Sequence, residues 1–544
     1  MILWPATAWQ ISRHFDMGID RRKATTEPSV RFRFERADGL PRLAWCANLH
    51  AGEPVVSVRH GPWVETVDNA FFEGSWDGDF EPRRFDIATT FIGTGARLSD
   101  DGVLFSTATN QIDRIYSIRK GDNLWLSNSM VFLLVEAGDE PDPNYPYYYG
   151  DLLSHYQTGL LRDVKTLPTR MGNRVQIHDC RNVLVRPELS LRRREKVTPS
   201  IPSNFREYEE LLLQTIGGVF RNASDPARRW TYRPLHTLSS GYDSTAFAAI
   251  AKRCGSTEAI TFSTVGGAST GDSGMPIAEA LNLECAEYDL LGYRELPGCP
   301  EAEFCAACPS GNYVNLAPME AVLAGRLLLT GNGGDLFWSG RDDLNLPGLV
   351  QPWASYTHGE AMAEYRLRVG FNVLMGPLIG AIHSEALMRI ARSEEMQNWS
   401  LHCGHYDRTI PRRIAEQAGV PREIFAIKDH GGGHTWIDKP GGMSDSGERD
   451  LAAYRERSVT NPGFWRRKFW ALMYRLYRAN ARMNKRIFFF LCGRVNPGAF
   501  RPGKIHPLWF RPIIPARYGF PIGKFRYTLQ WGFERIESRY RREA

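Results

Sequence analysis

Residues 235–255 read LHTLSSGYDSTAFAAIAKRCG, and the middle of this stretch decides the fold. A short apolar run ends at Ser239-Ser240-Gly241, a polar turn follows, and the pattern from Thr245 to Arg253 is helical. A strand that passes through a glycine-containing turn into a helix is the building unit of a parallel sheet covered by helices. Open sheets of that kind bind ligands beyond the carboxyl ends of their strands, which is the place of the turn from Ser239 to Ser244. Successive backbone N–H groups there, backed by the positive end of a helix, suit an anion. Gly241 lets the backbone approach a phosphate closely, while Ser239, Ser240 and Ser244 offer hydroxyls. Asp243 is discordant, because a carboxylate repels phosphate. Either Mg2+ lies between the two, or Asp243 or Ser244 only caps the helix. The P-loop pattern GxxxxGK[ST] is absent from the sequence.

Downstream, RLLLTGNGGDLFWSG (326–340) repeats the arrangement: an apolar strand, a glycine-rich turn and then an acid, Asp335. Two carboxylates at neighbouring strand ends suit a cation shared between phosphates; the plainer reading is an ordinary strand and loop. From FREYEELLLQTIGGVFRNA (205–223) onward, helical periodicity alternates with the short strands LHTL, EAITFS and RLLLTG, which predicts a parallel sheet with helices on its faces. Residues 30–186 are different. FRFERADG, PVVSVRHGPWVETV, GVLFSTAT, DRIYSIRKGDNLWLSNS and RVQIHDCRNVLVRP alternate apolar with polar between Gly, Asp and Asn turns, which predicts a β-rich half. One hairpin turns at Gly121-Asp122-Asn123. LLSHYQTGLL (152–161) reads as a helix, and the polar LRRREKVTPSIPSN (191–204) as the linker between halves.

At 544 residues the chain is too long for one core, and 43% hydrophobic with 12% aromatic residues is a globular composition. The nine cysteines form no spaced framework, which favours reduced thiols and a cytoplasmic setting. MILWPATAWQISRHF lacks the pattern of a signal peptide, and no apolar run approaches the roughly 18 residues of a membrane span.

These motifs together carry a resemblance. SSGYDS resembles the SGGxDS loop of the ATP pyrophosphatases, and TGNGGDLF resembles the SGxGxDELF loop of asparagine synthetases and β-lactam synthetases. AITFSTVGGASTGDSGMPIAEALNLECAEYDL (259–290) is similar to the second strand, acidic stretch and following helix of that family, and GVPREIFAIKDHGGG (419–433) to the segment that delivers its lysine. In the first half, GVLFSTATNQIDRIYSIRKGDNLWLSNSMVFLL and DVKTLPTRMGNRVQI resemble hairpins and a closing strand of the family's glutaminase half. The resemblance implies a mixed α/β and α+β architecture. It comprises a degenerate Ntn-type glutaminase-like domain (1–190), a parallel-sheet ATP pyrophosphatase domain of HUP type (205–455) and a basic, aromatic C-terminal extension (456–544). It also implies an AMP-forming amide ligase: a carboxylate attacks the α-phosphorus of ATP, and an amine then displaces AMP from the acyl-adenylate. By this resemblance Leu238, Ser239, Ser240, Gly241, Asp243, Ser244, Ser263, Thr264, Thr330 and Gly331 border the nucleotide. Asp243 and Asp335 hold Mg2+, and Lys428 stabilises the charged intermediate. The implied partners are a small-molecule, sugar-acid or peptide carboxylate and an amine.

The sequence departs from the family pattern in places. Ser240 replaces a glycine, Leu336 an acid, and Asn332 an acid whose place it cannot fill as a base, which counts against aspartate as substrate. Glutamine-dependent members expose a cysteine after Met1; here residue 2 is Ile2 and the first cysteine is Cys46, in a β region. The expectation is a scaffold domain without glutamine hydrolysis, as in β-lactam synthetases and lasso-peptide cyclases. Two other readings stand: a tRNA-modifying ATP pyrophosphatase, against which the TGNGGD loop and the β-rich half count, and a non-catalytic nucleotide-binding scaffold.

Cys299, Cys305 and Cys308 have the CxxC spacing of a zinc site but lack a fourth ligand at a sensible spacing, so buried thiols are the competing reading. His430 and His434 flank a triple glycine beside Lys428. In FWRRKFWALMYRLYRANARMNKRIFFF, Trp465, Phe469, Leu472, Leu476, Met483 and Ile487 share one helical face, and Arg467, Arg475, Arg478, Arg482 and Lys485 the other. Such a helix either lies on an anionic membrane or, less expected, nucleic acid, or docks its apolar face on the protein. The proline- and arginine-rich stretch that follows reads as a surface wrap.

Overall fold

The computed structural model describes residues 30–110, 112–152, 166–339, 359–401, 407–427, 435, 437, 441–459, 465, 468–476, 479 and 524–542. Its architecture is mixed α/β, with two sheets in the first half and one largely parallel sheet in the second. The strands of the first half are β1 (Arg31–Arg36), β2 (Trp45–His50), β3 (Val55–His60), β4 (Glu65–Val67), β5 (Ala70–Trp76), β6 (Phe91–Ser99), β7 (Gly102–Ser106), β8 (Ile115–Lys120), β9 (Asn123–Ser127), β10 (Thr166–Pro168), β11 (Arg174–His178), β12 (Asn182–Val185) and β13 (Leu191–Arg194). They form a seven-stranded sheet, β1-β3-β2-β9-β8-β11-β10, and a six-stranded sheet, β13-β12-β7-β6-β5-β4. All pairings are antiparallel except β1 with β3. Period-two alternation sends Trp45, Ala47 and Leu49 of β2, Val56 and Val58 of β3, and Leu124 and Leu126 of β9 into a core shared with Phe71, Ala96 and Phe105 of the other sheet. Where β5 crosses β6, Gly74 is paired with Gly93, both at φ +117°. A Cβ on either would lie within 2.0 Å of a carbonyl oxygen on the opposite strand, so only glycine fits there.

β13 corrects the linker reading: Leu191–Arg194 pairs antiparallel with β12, so the connection begins only after it. The helix Phe205–Ala223 then starts at Asn204, whose side chain accepts a hydrogen bond from the Glu207 N–H at 3.0 Å. Of the helix expected at 152–161, all but Leu152 lies outside the described residues.

The second half contributes β14 (Arg233–Leu238), β15 (Glu258–Val265), β16 (Ala268–Ser269), β17 (Glu284–Asp289), β18 (Arg326–Thr330) and β19 (Asn372–Met375). β14 pairs parallel with β15 on one side and with β18 on the other; β17 joins β15, and β19 joins β18, again in parallel. The chain therefore runs outward from β14 in one direction and returns to its other side at β18. The carboxyl end of β14 is thus the switch point of the sheet, where the two connections part and leave a crevice. The helix after β14 spans Tyr242–Arg253, three residues longer at its start than the periodicity indicated, with extended Gly241 at the N-cap and no side-chain cap bond. Neither Asp243 nor Ser244 is therefore the cap; both lie in the first turn.

The sandwich and the parallel sheet meet across a buried ionic knot. Arg366, on the helix Met362–Val369, donates to Glu73 at 2.8 and 3.0 Å and lies 2.6 Å from Asp113. The three residues are at most 3% exposed. Burial works against the Arg366 charge, but Asp113 and Glu73 outweigh it and hold the guanidinium above its ordinary pKa. Glu73 also accepts from the Thr94 backbone N–H and hydroxyl, and Thr94 accepts from the Trp45 indole at 2.9 Å, which ties the knot into the sandwich core. Beside it, the Leu43 N–H donates to the Leu367 carbonyl at 2.9 Å and Ser129 donates to Glu364 at 2.7 Å.

The last described α-helix, Thr528–Ile536, lies against Pro300–Ala307, and Trp531, Leu529, Phe533 and Ile536 are buried. Close approach requires Gly532, since a Cβ there would stand 2.5 Å from the Ala302 carbonyl oxygen. This end of the extension is therefore core; of the stretch expected to wrap the surface, 501–527, residues 501–523 lie outside the described residues. Among the described residues no helix is long and apolar enough to cross a membrane.

Two outcomes follow from the buried charges. Arg366→Ala strands two carboxylates and should lower the unfolding free energy by about 3–5 kcal/mol in denaturant titration. Burial pushes Glu364 from 4.5 to about 7. Its neutral form is favoured in the folded state, so this contribution is complete below the ordinary carboxylate range and is lost as pH rises through about 7. Unfolding free energy measured from pH 5 to 8 should decline, and Glu364→Gln should flatten part of that decline.

Candidate active site

The turn after β14 places Ser239, Ser240 and Gly241 at the switch point, with Leu238 buried beneath. Its donors are engaged within the protein. The Ser239 N–H donates to the Ser244 hydroxyl at 3.2 Å, the two hydroxyls lie 2.9 Å apart, and the Gly241 N–H donates to Ser239 Oγ at 3.3 Å. The backbone N–H and the hydroxyl of Ser240 both donate to one oxygen of Asp272, at 3.0 and 2.6 Å. The anion held at Ser240 in this structure is thus the Asp272 carboxylate.

The second turn closes directly on the first. A Cβ on Gly331 would fall 2.4 Å from the Asp243 carbonyl carbon and the Ser244 nitrogen, and one on Gly334 would fall 2.1 Å from the Asp243 carboxyl carbon. Side chains at these two positions would push the turns apart. Gly333 takes a positive φ of 94° to start the short helix Gly334–Phe337, whose first turn carries Asp335, exposed. The structure therefore brings Ser239, Ser244, Asp243, Gly331 and the Asp335 backbone to one place. Asp243 is ion-paired there with Arg408, which the sequence reading passed over. The Arg408 guanidinium thus offsets the charge of that carboxylate. Thr330 is buried at the end of β18. Ser263 and Thr264 end the next strand, β15, where the Ser263 hydroxyl donates to Glu287 and the Thr264 carbonyl accepts from the Leu290 N–H at 2.8 Å.

The segment before Lys428 reaches the same turn, because the Ala426 N–H donates to the Ser240 carbonyl at 2.7 Å. Lys428 itself, with His430 and His434, lies outside the described residues.

Beyond the motifs, the site gathers a polar group that no local pattern announces. Asn332 donates its amide to the Tyr313 hydroxyl. Tyr313 holds a left-handed φ of 67°, and burial, with Glu360 and Asp335 adding, pushes its hydroxyl pKa up. Glu360 is 1% exposed, and its carboxyl group meets the side chain of Asn312. Burial pushes it from 4.5 to about 7, with Arg114 of the sandwich opposing. Asn312 is equally buried. Glu360 and Asn312 are single polar residues among apolar neighbours, so only their burial together marks them.

A metal is compatible with this chemistry under one condition. Among the described residues no group of three or more His, Cys, Asp or Glu could hold an ion. A cation at Asp243 and Asp335 would have to take its remaining ligands from phosphate and water, which is the habit of Mg2+. The CxxC segment shows no such cluster either: Cys305 and Cys308 are buried in or beside the helix Pro300–Ala307, and none of the seven described cysteines is in a disulfide. No protein-family model matches the chain, and no curated protein matches its sequence.

Proposed function

We propose that the chain is an ATP-dependent, AMP-forming amide ligase that activates a carboxylate as its adenylate and passes the acyl group to an amine. The observation that carries this reading is the interlock of the two turns at the switch point, where Gly331 and Gly334 are packed onto Asp243. In the same reading the two-sheet sandwich is a degenerate glutaminase-like Ntn domain and the parallel sheet a HUP-type pyrophosphatase domain. Use of a free amine is supported by the sandwich's described cysteines, Cys46 and Cys180, which are both buried; burial pushes the Cys46 thiol well above its ordinary pKa.

Each residue then has a task. The hydroxyls of Ser239, Ser240 and Ser244, with the start of the helix Tyr242–Arg253, hold the leaving pyrophosphate once Asp272 gives up Ser240. Asp243 and Asp335 would hold Mg2+, which neutralises charge on the phosphates. Lys428 offsets negative charge as the α–β bond breaks. Glu360, poised at about 7, is matched to accept a proton from the attacking amine near neutral pH, a task Asn332 cannot perform. A second reading, nucleotide binding without turnover, draws on the engagement of the turn's donors by Asp272 and of Asp243 by Arg408.

Exchange of labelled pyrophosphate into ATP in the presence of a carboxylate substrate separates the two. Asp335→Ala should abolish exchange while changing stability by no more than about 0.5 kcal/mol, since the residue is exposed. Lys428→Ala should bind ATP almost normally and turn over about a hundredfold more slowly. Glu360→Gln should remove the limb of the kcat/KM profile that rises through about pH 7. Formation of ADP and phosphate in place of AMP and pyrophosphate would end the assignment.

A further inference from the structure

The helical segment at residues 465 and 468–476 is turned contrary to the ordinary amphipathic arrangement. Its inner side is fixed by Trp470, 3% exposed, whose indole N–H donates to the Tyr147 hydroxyl at 2.8 Å and whose ring lies 4.6 Å beneath the Arg526 guanidinium. Its outer side carries the apolar residues. Trp465 is 79% exposed, Phe469 49%, Leu472 54% and Leu476 44%. Intervals of four, three and four residues put these side chains in one row along the helix, about 16 Å long. Lys468 and Arg475, also exposed, run along one flank at their own interval of seven residues.

We propose that this row is a membrane-contact surface that inserts Trp465, Phe469, Leu472 and Leu476 into the headgroup region of an anionic lipid bilayer, with Lys468 and Arg475 meeting the lipid phosphates. The combination of an aliphatic and aromatic row with a cationic flank is what binds a bilayer in its plane. Nucleic acid fits less well, because Leu472 and Leu476 offer no ring for stacking bases. A second copy of the chain fits less well too, because self-pairing along the row would bring Lys468 and Arg475 close to their own counterparts. The Trp470–Tyr147 bond anchors the segment to the sandwich side of the molecule, so binding would hold the whole enzyme at the surface without a spanning helix.

Flotation of the full chain with vesicles tests this. Vesicles of phosphatidylcholine with about one third phosphatidylglycerol should carry the protein at low salt and release much of it as salt rises, since exposed charges are screened over about 8 Å at physiological ionic strength. Phosphatidylcholine alone should carry far less. Phe469→Ser with Leu472→Ser should weaken binding at least about tenfold, as should Lys468→Glu with Arg475→Glu. Both pairs are exposed, so unfolding transitions should match those of the unmutated chain and show that any loss is not misfolding. Equal flotation of the unmutated chain and both variants overturns the proposal. So does binding to single-stranded RNA without binding to vesicles, or concentration-dependent dimerisation abolished by the apolar variant in a chain that ignores vesicles.

Discussion

Everything in this molecule is hung on one guanidinium. Arg366 enters a region where a lone charge would be prohibitive and finds two carboxylates, Glu73 from the middle of β5 and Asp113 from the loop before β8. A buried charge of either sign is costly alone, and the three groups offset one another there. The pairing is demanding in geometry, because a planar fork must meet Glu73 with two donors at once. It therefore ties the helix Met362–Val369 to β5 at one place. Arg114, one residue after Asp113, then acts on Glu360 from the sandwich side, opposing the larger effect of its burial.

The parallel sheet provides the complementary constraint. Because β14 lies between β15 and β18, the ends of β14 and β18 are neighbours although roughly ninety residues separate them in the chain. Neighbouring strand ends alone would leave the two turns side by side. Gly331 and Gly334 let them touch, and contact gives Asp243 a fixed position relative to Asp335's helix.

Local patterns made the switch-point turns legible. LHTLSSGYDS and RLLLTGNGGD each contain a strand, a glycine and an acid within a few residues, and backbone conformation over that distance is set mostly by the residues themselves. The β-rich character of residues 30–186 was legible for the same reason: period-two alternation shows which face is buried, and Trp45, Ala47 and Leu49 obey it. Distant pairings were not legible. Arg408 reaches Asp243 across 165 positions, and nothing near either residue signals the other. Glu360 and Asn312 look like ordinary surface residues until the fold closes over them. Leu191–Arg194 was missed for a different reason: three arginines in a row suggest solvent, yet an edge strand can carry exposed charge on its free side while its backbone pairs with β12.

The helix Thr528–Ile536 gives the chain a timetable. It covers Pro300–Ala307, a helix made far earlier in synthesis, and soon after it Tyr540 stacks on Phe132 with ring centroids 5.1 Å apart while its carbonyl accepts from Arg59 at 2.9 Å. At ordinary rates of translation, the apolar face of Pro300–Ala307 waits on the order of ten seconds or more for its cover. The segment from Thr528 to Tyr540 thus joins the early strands to the middle of the chain.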